Sequence, residues 1–433
     1  MTDTTTRRGL RALTTRRAGV GLAGAAALTL ALTACAGGVS QSGGSAGGGT
    51  GYEPGASQEE IDAALADLDP ITITYQPSAA SEASVQSPSG TVLRDAIEER
   101  SGGKITVDTV WGQAIAGYTE VHEALADGRV DLAYTLPVYL PQEYTAANAL
   151  GDAMSTLPPS PYVGEMVTNA VATSVAWDTP EIIDQYEEKG ISPIAPVVAS
   201  GGYYNVCSDP VTDIDGLQGK QVRIASSSQH SMVQDLGASP VSIEYVETFE
   251  ALQRGTVDCT LAQLVPSAEG GIFEVAPHIS YFTDTSVSRA PGALLAGSSF
   301  DSLPLAYQQV IFDSYADYFH GQMHTTIGGN AHAVGMSKEA GGEIQPFDAE
   351  VQDTVAEFNT TLREEVDAAG EGGEGLVAKV DEATAHYTQL VSELGFEDSG
   401  ATEDFDEWFD PETDFRPLGE AVYEEALLPH RPS

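Results

Sequence analysis

The chain has 433 residues, 42% of them hydrophobic, and 19 Lys and Arg stand against 64 Asp and Glu for a formal net charge of −45. This length exceeds what one hydrophobic core comfortably supports, so two lobes or domains are expected. The negative charge repels nucleic acid and anionic surfaces, which excludes partners that present a phosphate backbone.

The first 34 residues have the pattern of a secretory signal peptide. Basic residues precede an apolar run from Ala18 to Leu32, which is shorter than a membrane span. The following Cys35 completes a sequence, Leu-Thr-Ala-Cys, that resembles a bacterial lipobox, where the peptide is cut before a cysteine that takes a diacylglycerol. We predict a signal peptide over 1–34, lipidation of Cys35 and anchoring at the outer face of the cell membrane. Sec and twin-arginine export both stay open.

Residues 36–57 are rich in glycine and serine without an apolar pattern, so we predict a flexible tether, placed over 35–70. Export would put the other two cysteines, Cys207 and Cys259, in an oxidising compartment, where a disulfide is expected. Two separate buried thiols are the alternative. No C-x-x-C spacing supports a thiol-redox or zinc-ribbon site.

Strand and helix patterns alternate from Ile71 onward. Ile71–Tyr75, KITVDTVW and DLAYTLP have the character of strands, and TVLRDAIEERSGG and GYTEVHEALADGRV have that of helices. This order predicts an α/β lobe with a mainly parallel sheet. We assign it to 71–200 as lobe I.

The same order returns after a long extended segment whose Gly201-Gly202 pair marks a candidate crossing between lobes. GKQVRIA, SPVSIEY and DCTLAQL are predicted strands, separated by the predicted helices SSQHSMVQDLG and VETFEALQRGTV. We assign 201–285 to lobe II and a return segment of about 286–330 to lobe I.

The rest of the chain is mostly helical to about Leu394 and then acidic. The acidic tail contains Trp408, Phe409 and Phe415, and disordered tails are usually poor in aromatic residues. We therefore expect 331–433 to form a helical and acidic C-terminal region that packs on the lobes.

Motifs for catalysis or metal binding are weak. His320 and His324 are spaced i,i+4 on a predicted helix, but Gly321 stands where the HExxH zinc motif has its glutamate, and no third ligand is identifiable. We find no G-x-S-x-G elbow. The sequence therefore predicts no catalytic residue, no metal and no cofactor.

Three ordered segments, 101–140, 213–258 and 298–318, resemble the solute-binding proteins of TRAP (tripartite ATP-independent periplasmic) transporters. The resemblance implies an α/β, two-lobed periplasmic-binding-protein-like fold with crossing hinge strands and a helical C-terminal part. It also implies a receptor that closes over a small organic acid and delivers it to integral membrane transporter subunits.

In that family an arginine at the end of the KxxR(V/I) strand binds the ligand carboxylate, and here that position is Arg223. A guanidinium offers a planar, permanently charged fork to a carboxylate. Ser226 to Ser228 precede a helix whose free N–H groups favour an anion. The alternatives are an exposed Arg223 that caps the strand and an Arg223 paired with Asp215 or Glu244, and Lys220 is expected to be a solvated turn residue.

One departure from the family concerns the strand that follows GxVD, where an asparagine often touches the ligand. Here DCTLAQ places Ala262 near that position, with Gln263 as a substitute. Other polar candidates lie at strand ends or in the loop Ser78–Ser84, and Trp111 and Tyr245 are candidate walls. The predicted ligand-binding residues are Arg223, Gln263, Ser226, Ser84, Gln113, Thr135 and Tyr139.

Two other functions stay open. A receptor of an ATP-driven importer has similar lobes, and an exported lipid-anchored hydrolase would share the leader. Two similar half-lobes and the lack of a nucleophile–base set favour a binding protein. The sequence does not choose among monocarboxylate, dicarboxylate, keto acid and sugar acid.

Overall fold

The computed structural model describes residues 50–433, so the predicted signal peptide, Cys35 and the start of the predicted tether lie outside the described residues. Within that range eleven strands form two sheets. In chain order the strands are β1 (Ile71–Gln76), β2 (Ile105–Thr109), β3 (Leu132–Thr135), β4 (Ser192–Ala199), β5 (Tyr204–Cys207), β6 (Gln221–Ile224), β7 (Ser239–Ser242), β8 (Cys259–Ala262), β9 (His278–Tyr281), β10 (Pro291–Ala296) and β11 (Ile344–Pro346).

The five-stranded sheet, in the order β2-β1-β3-β10-β4, defines lobe I. Strand β1 pairs in parallel with β2 and β3, and β10 runs antiparallel between β3 and β4. The six-stranded sheet, in the order β11-β9-β5-β8-β6-β7, defines lobe II. There β6 is parallel to β7 and β8, whereas β5 is antiparallel to β8 and β9. The predicted two-lobed α/β architecture is confirmed.

Seventeen α-helices cover the two sheets in the described part of the chain. In chain order they are α1 (Gln58–Leu65), α2 (Pro88–Arg100), α3 (Val121–Ala126), α4 (Thr145–Ala153), α5 (Val163–Trp177), α6 (Pro180–Glu187), α7 (Ile214–Leu217), α8 (Ser227–Asp235), α9 (Thr248–Gln253), α10 (Leu264–Glu269), α11 (Leu305–Asp313), α12 (Tyr315–Met323), α13 (Gly329–Glu339), α14 (Ala349–Ala369), α15 (Leu376–Glu393), α16 (Phe405–Trp408) and α17 (Arg416–Val422). Across residues 50–433, none of the helices combines the length and the hydropathy needed to span a bilayer.

The predicted tether extends too far toward the body. Residues 58–65 form α1, which a capping box between Ser57 and Glu60 opens and which buries Ile61 and Leu65. Just before it, Tyr52 is buried and its N–H donates to Gln309 at 2.8 Å. The apolar residues in this stretch were too few to stand out beside the glycine-rich sequence, so the packing of α1 was missed.

Cys207 and Cys259 form a disulfide that joins neighbouring strands of lobe II. The two residues are paired across the antiparallel β5–β8 ladder, and both are buried. The bond therefore ties the first strand of lobe II to the strand that lies beside β6.

The chain crosses between the sheets at 200–203, from β4 to β5, and at 282–290, from β9 to β10. Gly201 has φ +109, which a side chain would disfavour. A fully buried ion pair ties both crossings to α5 of lobe I. Arg289 in the second crossing donates from Nη1 to Glu165 at 3.0 Å, and Glu165 also accepts from the N–H of Gly202 in the first crossing at 2.7 Å.

Helices of the C-terminal region also connect the lobes. Helix α12 packs on α2 of lobe I, and α13 packs on α10 of lobe II. Between them, His324–Gly328 form a π-helical turn. Helix α14 contacts α8 of lobe II and α4 of lobe I, and its Asn359 donates to the carbonyl of Ser286 in the second crossing at 2.8 Å.

The acidic end of the chain packs on the body through its aromatic residues. Phe405 and Phe415 are fully buried, and Phe415 lies against Tyr162 of lobe I. Near the C-terminus, Arg431 binds Asp313 of α11 through two nitrogens at 2.8 Å each. The same guanidinium donates to the carbonyl of Tyr52 at 2.9 Å, so both ends of the described chain meet at α11.

Replacing Glu165 by Gln should destabilise the protein, because Arg289 would remain as a buried charge without its counter-ion. The expected loss is about 3–5 kcal/mol in the free energy of unfolding, measured by urea denaturation. The matched control is Glu250→Gln, which breaks an exposed pair with Arg254 and should cost less than about 0.5 kcal/mol. Equal effects of the two substitutions would contradict a structural role for the buried pair.

His122 should give the fold a specific acid sensitivity. Its ring packs 4.6 Å from the ring of Tyr144, and neither ring nitrogen has a partner among the described residues. Burial lowers the pKa of His122 to about 4, below its ordinary value of 6.5. The unfolded chain therefore binds the proton more tightly, and the stability that neutral His122 provides above pH 6.5 is lost as the pH falls toward 4.

The His122→Leu variant should lose about 2–3 kcal/mol less stability than the parent between pH 7 and pH 4, as measured by thermal unfolding across that range. His332, which is exposed, provides the control, since His332→Leu should leave the pH dependence as it is. An unchanged pH dependence in His122→Leu would show that other groups control the acid sensitivity.

Candidate functional site

A cavity of about 520 Å³ lies between the two lobes. Lobe I, the first crossing, lobe II and α12 with its π turn all contribute to its wall. Among the residues that line it are Gln86, Gln113, Tyr118, Tyr134, Tyr139, Ser200, Tyr203, Arg223, Glu244, Tyr245, Gln263, Glu269, Gln322, Thr325 and Thr326.

Arg223 is the charged centre of this cavity and is only 3% exposed. It lies on β6, where Val222 and Ile224 on either side face the apolar interior of lobe II. Alternation along a strand therefore turns Arg223 away from that core and toward the other lobe. Pairing with β7 and β8 on both sides holds its backbone.

The guanidinium of Arg223 is held but not neutralised. Its Nε donates to the carbonyl of Ile243 at 3.2 Å, and its carbon lies 5.2 Å from the ring centre of Tyr245. Within residues 50–433 it has no ion-pair partner and its two terminal nitrogens make no hydrogen bond, yet they are not sealed off from the cavity. The alternative pairing with Asp215 or Glu244 is therefore not found. The free edge of the guanidinium can donate hydrogen bonds to both oxygens of a carboxylate.

Three other predicted residues line the same cavity: Gln113, Tyr139 and Gln263. Gln113 has φ +54, and no other non-glycine residue of the described chain has a positive φ. Backbone held in this sparsely populated region is common at binding sites, where the surrounding structure maintains it. The loop after β2 thus presents the Gln113 amide at some conformational cost.

Tyrosine rings form much of the remaining wall. Tyr118 and Tyr139 of lobe I have ring centres 6.3 Å apart, and the hydroxyl of Tyr134 lies 3.1 Å from that of Ser200. Gly292 makes room for Tyr134, because a Cβ there would lie 2.3 Å from the phenol oxygen. Burial raises the pKa of Tyr134 and that of Tyr245 to about 12, so both phenols stay neutral at physiological pH.

The other predicted residues do not reach the Arg223 cavity. Ser226 caps α8, where its hydroxyl accepts from the N–H of Gln229 at 3.3 Å, and it lines a neighbouring cleft instead. Thr135 is fully buried within β3. Ser84 lies at the mouth and donates to Glu269. Trp111, a candidate wall, packs near Gly90 and is not among the lining residues.

A polar bridge closes the mouth between the lobes. Glu269, at the end of α10 in lobe II, accepts hydrogen bonds from Ser84 and from the side chain of Gln86 in lobe I, the latter at 2.9 Å. Thr325 of the π turn donates to the carbonyl of Gln86 at 3.1 Å and supports the same loop. The loop after β1 is therefore held over the cavity from two sides.

The neighbouring cleft has a volume of about 630 Å³ and shares Tyr203 and Ala225 with the Arg223 cavity. The serines that begin α8 line it together with Asp152 of lobe I. Burial raises the pKa of Asp152 to about 6, and hydrogen bonds from Ser228 and Ser288 partly offset that rise. The serine-rich helix start thus faces a carboxyl group of the chain itself.

Several residues that line the Arg223 cavity were not predicted from the sequence. Tyr203 follows the Gly201-Gly202 pair directly, so its place at the crossing was a usable signal. Gln322 comes from α12 and Thr326 from the π turn, and nothing in their local sequence pointed to the cleft. The side-chain oxygen of Gln322 is buried without a hydrogen-bond partner among the described residues.

His320 and His324 lie outside this site and bind the backbone of the C-terminal segment. His320 accepts from the N–H of Phe415 at 3.2 Å, and His324 lies 3.0 Å from the carbonyl of Thr413. Among residues 50–433 no group of three or more His, Cys, Asp or Glu is arranged to hold a metal ion.

Comparison with curated proteins finds two solute-binding proteins. One, from a Sulfitobacter species, is 29% identical over 163 residues, which make up 36% of this chain and 45% of the relative. The other, from Verminephrobacter eiseniae, is 24% identical over 222 residues, or 50% of this chain and 62% of the relative. The chain thus spans about half to three fifths of the length of the curated relatives that it matches.

Solved structures with the same fold include a sugar acid binding protein from Advenella mimigardefordensis in complex with galactonate, at 21% identity and a TM-score of 0.60. A TRAP solute binding protein from a marine metagenome, in complex with 3-hydroxybenzoate, has 16% identity and a TM-score of 0.63. A third, from Bordetella bronchiseptica with bound mandelate, has 18% identity and a TM-score of 0.62. Each match covers 74% of this chain and 99–100% of the other.

The model of one protein family, described as bacterial extracellular solute-binding protein, family 7, matches residues 78–368. This range covers every strand of the two sheets except β1, together with the two crossings and every lining residue of the Arg223 cavity. It also covers more than half of the chain, and the resemblance to TRAP solute-binding proteins that the sequence indicated is confirmed. The chain belongs to the bacterial extracellular solute-binding proteins of family 7.

Proposed function

We propose that this protein captures a small organic acid outside the cytoplasm and delivers it to a TRAP-type membrane transporter. The observation that carries the proposal is the state of Arg223, which is buried between two lobes with its terminal nitrogens open to a cavity and without an internal acid as partner. Burying an unpaired charge is costly, so a ligand carboxylate is the natural counter-ion.

The relatives support this reading of the cavity. The structures that share the fold hold galactonate, 3-hydroxybenzoate or mandelate, and each of these ligands is an organic acid. The family and its solved members are binding proteins. We therefore favour binding over catalysis, and a receptor for an ATP-driven importer or an exported hydrolase ranks behind a TRAP receptor.

The mechanism follows from the two-lobed geometry. The ligand enters an open cleft and its carboxylate pairs with Arg223 of lobe II. The lobes then rotate about the crossings at 200–203 and 282–290, while Glu165 and Arg289 keep both crossings attached to lobe I. Closure removes water and strengthens the ion pair. The bridge from Glu269 to the loop of Gln86 then holds the closed form.

The attachment to the membrane is part of the same proposal. A diacylglycerol on Cys35 would hold the receptor at the outer face of the cell membrane, with residues 36–51 as the tether that leads to the buried Tyr52. This arrangement keeps the receptor close to transporter subunits in the membrane. Neither catalytic residues nor a cofactor enter the mechanism.

Arg223→Ala should lower the affinity for the bound acid by about 30- to 1000-fold, since it removes a desolvated ion pair. Isothermal titration calorimetry with benzoate, glucuronate, pyruvate, lactate and succinate identifies the acid to use. Arg223→Lys keeps the charge but not the fork, and we expect it to lose most of the same affinity.

The matched control is Lys220→Ala. Lys220 lies at the start of the same strand region, near Asp209 and Asp258, and does not line the cavity. Its loss changes the net charge as Arg223→Ala does and should leave the affinity within about twofold. An unchanged affinity in Arg223→Ala, for an acid that binds the parent tightly, would reject the proposed function.

A further inference from the structure

We infer that the acid is a ring-bearing monocarboxylate, aromatic or pyranose, rather than a dicarboxylate or a short open-chain acid. The inference rests on the proposed function and specifies the ligand of the same cavity. It depends on the charges that line the cavity and on the position of the tyrosine rings.

The charges allow one carboxylate and disfavour a second. Among the lining residues of the described chain, Arg223 is the single cation, whereas Glu244 and Glu269 are anions. Glu244 lines the same cavity as Arg223 and directly precedes Tyr245, whose ring contacts the Arg223 guanidinium. A second ligand carboxylate would lose its hydration without gaining a counter-ion. It would also be repelled by these two glutamates.

The acidic rim strengthens this selection. Glu244 and Glu269 are exposed at the cavity mouth, and Glu269 forms the bridge to the loop of lobe I. An acid with its charge at one end can point that end toward Arg223 and its neutral end toward the rim. A dianion would have to place a charge at the rim when the lobes close.

The rings define the shape of the neutral part. Tyr118 and Tyr139 come from lobe I, Tyr203 from the first crossing and Tyr245 from lobe II, so closure brings aromatic faces and edges together from both sides. The ring of Tyr245 lies against the guanidinium of Arg223, which places the rings next to the carboxylate position. A planar ring or a pyranose fits between such walls, and a short open-chain acid would leave them without contact.

Polar groups are available for hydroxyls on that ring. The phenols of Tyr118 and Tyr139 make no hydrogen bond within residues 50–433, and burial raises the pKa of each, so both remain protonated donors. The amides of Gln113 and Gln263 add further donors and acceptors. Hydroxylated rings are therefore accommodated without a second charge.

The test compares four acids by calorimetry on the purified protein: benzoate, glucuronate, isophthalate and pyruvate. Isophthalate has the ring of benzoate with a second carboxylate, and pyruvate has one carboxylate without a ring. We expect benzoate or glucuronate to bind at least about tenfold more tightly than both isophthalate and pyruvate. Which of the two binds better separates an aromatic from a pyranose ligand.

Two variants test the residues that carry the inference. Tyr139→Leu, which removes the ring, should weaken the better ring acid by roughly three- to tenfold more than Tyr139→Phe, which keeps the ring and loses only the phenol. Tyr139 is 36% exposed, so neither change is expected to disturb the fold. Glu244→Gln should raise the affinity for isophthalate relative to benzoate by several-fold, because it removes one repulsive charge.

Tight binding of isophthalate or pyruvate, equal to that of the better ring acid, would overturn the inference. If that binding also disappears in Arg223→Ala, the proposed receptor function stands and only the ligand class is wrong. If neither benzoate nor glucuronate binds, the inference is wrong, and the Arg223→Ala comparison with the acid that does bind decides the proposed function.

Discussion

The structure is organised around a buried positive charge that the chain does not neutralise. Arg223 donates a hydrogen bond to one backbone carbonyl and lies over one tyrosine ring, but no carboxylate within residues 50–433 pairs with it. An isolated charge in a closed cavity is unfavourable, so the empty closed form is held at a cost. In the proposed function a ligand carboxylate removes that cost, which would make the stability of the closed lobes and the affinity for the acid two aspects of one interaction.

A second buried arginine has the opposite state and the opposite role. Arg289 is paired with Glu165, and the same carboxylate holds the N–H of Gly202, so both crossings depend on a single residue of α5. Among the described residues, Arg289 at the crossings is thus paired with a carboxylate, whereas Arg223 at the cavity is not. This contrast fits a structural role for Arg289 and the binding role that we propose for Arg223.

The two lobes and the first crossing could be predicted from local patterns, because strand–helix alternation and the Gly201-Gly202 pair can be recognised in short stretches of sequence. Arg223, Gln113, Tyr139 and Gln263 were reached from strand ends and from the family resemblance. Ser226 and Thr135 were misplaced because a strand end does not reveal which way a side chain turns. Gln322 comes from a distant helix, and its approach to the cleft depends on packing over the whole chain.

The C-terminal segment shows that the limits of a family and the limits of a stable folding unit differ in this chain. The family model ends at residue 368, and the solved relatives are covered almost completely by 74% of the chain. Beyond that limit Phe405, Phe415 and Val422 are completely buried against the body. A chain shortened to the family boundary would uncover a contiguous apolar surface, of the kind that drives self-association.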